Sequence, residues 1–87
     1  MTRKIRKSDI AWRLIEGQAF IINTKTSVLH ELDETGTFIW KLALKNLDTR
    51  EIAEELSTYY DVSTETAARD TGEFFEELEK KGIVDPL

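Results

Sequence analysis

The strongest constraint in this sequence is a change of hydrophobic period at Asp33. Ahead of it the apolar residues sit in short runs. Trp12 and Leu14 alternate with Arg13, Ala19-Phe20-Ile21-Ile22 follows a turn at Glu16-Gly17-Gln18, and Ser27-Val28-Leu29-His30-Glu31-Leu32 comes after a polar stretch at Asn23 to Thr26. Such runs suit strands, and the first two read as a hairpin. From Asp33 the apolar residues recur every three and four positions. Phe38, Ile39, Leu42 and Ala43 mark one stripe, widened by Trp40, Leu44 and Leu47; Ile52, Ala53, Leu56, Tyr59 and Tyr60 mark a second; Ala67, Thr71, Phe74, Phe75 and Leu78 mark a third. That spacing predicts three amphipathic helices. The expected class is therefore α+β, a three-stranded antiparallel sheet followed by three helices, with an open edge on each side of the meander.

The helix ends are written in side chains that satisfy free backbone groups. Asp33 is a natural N-cap. Asp48 with Glu51 three residues on forms a capping-box pair, and Leu47 with Ile52 is placed for a hydrophobic staple. The second helix should stop near Asp61, the third should start from the turn Asp61-Val62-Ser63-Thr64, and Gly82 suits a left-handed stop before Ile83-Val84 and Pro86.

Eighty-seven residues form one domain. With no cysteine there is no disulfide framework, no thiolate metal site, no iron–sulfur ligand set and no thiol nucleophile, so packing alone must hold the fold. Twelve basic residues against seventeen acidic ones give a net charge of −5, and four of the basic ones, Arg3, Lys4, Arg6 and Lys7, crowd the start. Residues 1–10 read as a basic, flexible segment and 11–87 as the single domain. The eight remaining basic residues leave residues 8–87 at about −9, which repels nucleic acid. No apolar stretch follows the basic start as a signal peptide requires, and no run is long enough to span a bilayer; the expectation is a cytoplasmic chain without membrane contact.

No catalytic constellation emerges. His30 is the single histidine and has no second histidine or cysteine for a metal or a relay. Glycines 17, 36, 72 and 82 fit no phosphate-binding fingerprint, the serines lack a nucleophile-elbow setting, and pairs such as Glu54-Glu55 and Glu76-Glu77 read as solvated helix faces. The expectation is a binding module without catalysis, cofactor or metal. Three helices beside a small sheet also describe a winged helix-turn-helix whose third helix reads DNA. Charge weighs against that alternative: residues 64–82 hold Glu65, Asp70, Glu73, Glu76, Glu77 and Glu79 against Arg69, Lys80 and Lys81.

The chain resembles the PqqD family of pyrroloquinoline quinone biosynthesis and the wider group of RiPP recognition elements. The resemblance runs through Trp12 and Phe20-Ile21-Ile22, then Leu32-Asp33-Glu34-Thr35-Gly36-Thr37-Phe38-Ile39-Trp40, where the family usually has Leu-Asn, a small residue and Ile-Trp. It continues through Thr49 to Leu56, the connector Tyr60-Asp61-Val62, and Asp70 to Leu78 with Gly82-Ile83-Val84. Asp33 replaces the usual asparagine, which caps equally well. Thr71 stands where an aliphatic residue is common, and the turn at Asn23 to Thr26 lacks the glycine often found there.

The resemblance implies a winged helix-turn-helix-like adaptor that binds the leader segment of a ribosomally made precursor peptide and presents it to a modifying enzyme. The resemblance implies as partner a radical S-adenosylmethionine maturase or another peptide-modifying enzyme. The leader is expected to add as a strand to the third strand, beside the third helix. Main-chain bonds would give affinity and alternate side chains specificity. The expected peptide-binding residues are Ser27, Val28, Leu29, His30 and Glu31 on the edge, with Ala67, Asp70 and Phe74 on one margin of the third helix. The opposite margin, Ala68, Gly72 and Phe75, is left open by periodicity. Glu73 and Glu77 make the first margin acidic, which favours a basic or neutral leader there. A second copy of the chain, pairing through the sheet edge, would compete with the leader.

Overall fold

The structure is a computed structural model and describes residues 5–85. A three-residue 3-10 turn, Lys7–Asp9, leads into strands β1 (Ile10–Ile15), β2 (Gln18–Asn23) and β3 (Val28–Glu31). They form one antiparallel sheet in the order β1-β2-β3, with Trp12 opposite Ile21 and Ile21 opposite His30. Glu16 (φ 53°) and Gly17 (φ 81°) are both left-handed, the backbone of a two-residue hairpin whose twist matches its strands. Three helices follow, α1 (Glu34–Leu44), α2 (Thr49–Tyr60) and α3 (Thr64–Lys80), as the change of period predicts.

The caps form as expected. Gly36 N–H donates to Asp33 Oδ1 (2.7 Å), and Thr66 N–H donates to Ser63 Oγ (3.1 Å). At α2, Glu51 N–H donates to Asp48 Oδ1 (2.8 Å) while Asp48 N–H donates to Glu51 Oε1 (3.1 Å), a complete capping box. Asp61 closes α2 in the left-handed conformation, and Gly82 follows α3 at φ 72°.

Ala19 and Ile21 point from the sheet into a core built with Ile39, Trp40, Ile52, Leu56, Phe75, Leu78, Ile83 and Val84. One buried polar contact ties sheet to helix: Ala19 N–H donates to Thr37 Oγ1 at 3.0 Å. Thr37→Val keeps the shape and strands a buried amide, so it should cost about 1–3 kcal/mol in urea unfolding, with Thr37→Ser close to wild type. Tyr59, placed by periodicity among the apolar positions of α2, is instead 67% exposed. Its ring stacks on Phe38 with centroids 4.8 Å apart.

The basic start lies partly outside the described residues, which hold neither Arg3 nor Lys4. Ile5 bridges Val84, Arg6 N–H donates to Ile83 O (2.9 Å), and Arg6 Nε meets Asp85 Oδ1 at 2.6 Å. Ile5 and Ile10 pack against the core, so the packed body takes in residues ahead of position 11, because these two side chains are apolar.

Candidate functional site: an open strand edge beside a cleft

Alternation along β3 decides what its free edge offers. Leu32 N–H donates to Ala19 O (3.0 Å), which sets the parity of the β2–β3 ladder. Residues of an edge strand alternate between pairing inward and facing out. His30 therefore spends its backbone groups on β2, Val28 N–H donates to Thr26 Oγ1 (3.3 Å), and Leu29 and Glu31 turn their backbone groups to the free edge. Side chains alternate as well. His30 shares the inner face with Ile21, whereas Leu29, across from Ile22, stands 61% exposed on the outer face.

Beside the end of this edge lies an open cleft of about 440 Å³. Its walls are the β3–α1 junction (Glu31, Leu32, Asp33), the first turns of α1 (Thr35, Gly36, Ile39) and one margin of α3 (Asp70, Glu73, Phe74, Glu77, Leu78), with Lys81 at the end of that margin. Gly36 makes the α1 wall possible. A Cβ there would stand 3.1 Å from Asp33 Oδ1 and 3.2 Å from Phe74 Cε1, so the absent side chain lets the Phe74 ring lie against α1.

The structure separates the candidate residues. Glu31, Asp70 and Phe74 line the cleft together. Leu29 is at the edge and His30 is part-buried behind it. Val28 is exposed where β3 begins, and Ser27 sits in the preceding turn with a left-handed backbone (φ 62°). Ala67 is 0% exposed, packed in the core, because it shares the buried stripe with Thr71, Phe75 and Leu78. It does not line the cleft. Of the two margins of α3, the one bearing Asp70 faces β3; Ala68 belongs to a separate depression beside the start of α2, and Phe75 is buried. The contribution of α1 was not foreseen. Its one sequence signal is Gly36, a residue without a side chain in the first turn of an otherwise good helix.

His30 titrates abnormally. Burial, and then the Lys81 ammonium, push it below its ordinary value of 6.5. The folded chain keeps His30 neutral where the unfolded chain takes up a proton. Its share of stability is thus complete above pH 6.5 and is lost as pH falls from there through the lower folded value. His30→Gln should flatten the fall of the urea midpoint from pH 7 to pH 5; parallel profiles would contradict this.

A three-stranded sheet, three helices and a cleft at the open edge together define a winged-helix-like α+β domain that can accept an extended chain. Residues 18–84 match the family described as coenzyme PQQ synthesis protein D (PqqD), and this chain belongs to that family. The fold is shared with two solved structures. TbiB1, in complex with the TbiA(beta) leader peptide, aligns with TM-score 0.91 at 24% identity over 97% of this chain and 96% of its own. A lasso peptide synthetase B1, complexed with the leader peptide, aligns with TM-score 0.90 at 19% identity over 99% of this chain and 100% of its own. A comparison with curated proteins gives no match. Among the described residues no helix is long and apolar enough to cross a membrane, and no group of three His, Asp or Glu is placed to hold a metal ion.

Proposed function

We propose that this chain is a leader-peptide-binding adaptor that presents a ribosomally made precursor peptide to a modifying enzyme. The observation that carries the reading is the free edge of β3 opening directly onto a cleft with an apolar floor and a polar rim. Edge amides and carbonyls can pair with any extended peptide, and the cleft then selects among its alternate side chains. Ordering a flexible peptide offsets part of the interaction, so binding should be reversible, as delivery requires. Membership of the PqqD family supports the reading, and so does the shared fold with two proteins solved with leader peptides.

Leu29, His30, Glu31, Asp70 and Phe74 form the peptide site in this reading, with Ser27 and Val28 at its entrance. The protein is non-catalytic and works in the cytoplasm. Its partner is a peptide-modifying enzyme, such as a radical S-adenosylmethionine maturase. A second copy pairing through the β3 edge would exclude the leader. Calorimetric titration with the leader segment of a precursor peptide encoded beside this chain should show saturable binding, and the same precursor without its leader should not bind. Equal binding of both, or of neither, would overturn the assignment.

A further inference from the structure

The cleft is electrically lopsided. Five carboxylates line it, Glu31, Asp33, Asp70, Glu73 and Glu77, against the single ammonium of Lys81. Lys81 Nζ lies 3.5 Å from Glu77 Oε2 and acts on His30, so the positive charge is held at the β3 end and Glu77 is compensated. Glu31 accepts from Gln18 Nε2 at 3.0 Å. At the other end, where Phe74 meets Gly36, charge is left over. Asp70 has only its neighbour Arg69, at 3.9 Å, and Glu73 has no ion-pair or hydrogen-bond partner among the described residues. Between the rims the part-buried Phe74 ring, backed by the buried Ile39 and Leu78, forms an apolar floor.

Resting on the adaptor reading, we propose that the leader bound here carries a lysine or arginine whose side chain enters the cleft at its Asp33–Asp70–Glu73 end. In a leader paired to Leu29 and Glu31, every second side chain faces α3. The inward residue beyond Glu31, level with Leu32, comes nearest to Asp33 and Asp70. A long cationic side chain satisfies both surfaces there, its methylenes on Phe74 and its head among the carboxylates. An apolar side chain would fill the floor but draw the carboxylates out of water without a partner, and an acidic one would be repelled. Lys81 at the far end disfavours a second cation, which limits the preference to one inward position and sets the leader's register.

The test is selection of a random-peptide display library on the full chain, with peptides that still bind the Leu29→Pro variant discarded. Wild type should enrich lysine or arginine at a single position flanked by apolar residues two places away. Replacing that residue by glutamine should weaken binding by about five- to tenfold, the scale of two partly exposed charge pairs. An Asp70→Lys/Glu73→Lys double variant should enrich aspartate or glutamate at the same position. Both side chains lie outside the core, and circular dichroism checks that the variant folds. Enriched peptides with no charge preference, or a preference unchanged in the double variant, would overturn the cationic subsite while leaving peptide binding intact. Failure of wild type to enrich any peptide would overturn the adaptor reading itself, and this inference with it.

Discussion

Leu29→Pro is expected to weaken leader binding by about tenfold or more while leaving the domain folded. Proline removes one N–H and places its ring where that N–H pointed. At Leu29 the lost donor faces the open edge, so the β2–β3 ladder keeps its bonds and the incoming strand loses one of its own, a loss of about 0.5–1.5 kcal/mol before the ring's obstruction is added. His30→Pro is the matched control. Its N–H belongs to the ladder and its neighbour across the sheet is the fully buried Ile21, so this variant should lose stability first. Urea unfolding and peptide titration of both variants separate the effects. Binding that survives Leu29→Pro unchanged would place the leader elsewhere.

Trp40→Ala should be the most damaging single substitution to the fold. Trp40 is 0% exposed and stands edge-on to Trp12 with ring centroids 6.1 Å apart. Removing a fully buried aromatic side chain costs about 3–5 kcal/mol, a large part of the roughly 5–15 kcal/mol that holds a domain together. The mechanism makes a finer prediction possible. The Trp40 Nε1 hydrogen is buried without a hydrogen-bond partner among the described residues, so the wild-type core already bears the desolvation of that group. Trp40→Phe relieves this while leaving a smaller cavity, and should cost distinctly less than Trp40→Ala. Thermal unfolding of the pair reads the difference; because both variants remove the indole N–H alike, equal losses would contradict the cavity account.

The fold was largely legible because each element carries two consistent signals. For α2 the apolar period and the Asp48–Glu51 capping box agree, and for the β1–β2 hairpin the strand pattern and Glu16-Gly17 agree. Discrepancies arose where one side chain could serve two surroundings. Tyr59 fits an apolar stripe by spacing, yet at the end of α2 it stays exposed, its ring against Phe38 and Tyr60. Ala67 sits beside Asp70 on a helical wheel, but a stripe has depth as well as breadth, and Ala67 faces the core while Asp70 reaches the cleft. The margin of α3 that meets β3 follows from how the helices pack, which no periodicity within α3 contains. The same holds for α1 as the third wall, created by Phe74 closing on Gly36.

Hydrogen exchange of individual amides, followed by NMR with and without a saturating leader segment, tests strand addition most directly. Exchange slows only where a backbone N–H gains a partner or loses access to water. Strand addition to β3 predicts new protection in alternation, strong at Leu29 and Glu31 and little changed at His30, with chemical-shift changes at Asp70, Glu73 and Phe74 across the cleft. The free edge of β1, at Trp12 and Leu14, should stay as it was. Protection that appears on β1 instead, or binding that leaves Leu29 and Glu31 exchanging as before, would contradict recognition at the β3 edge.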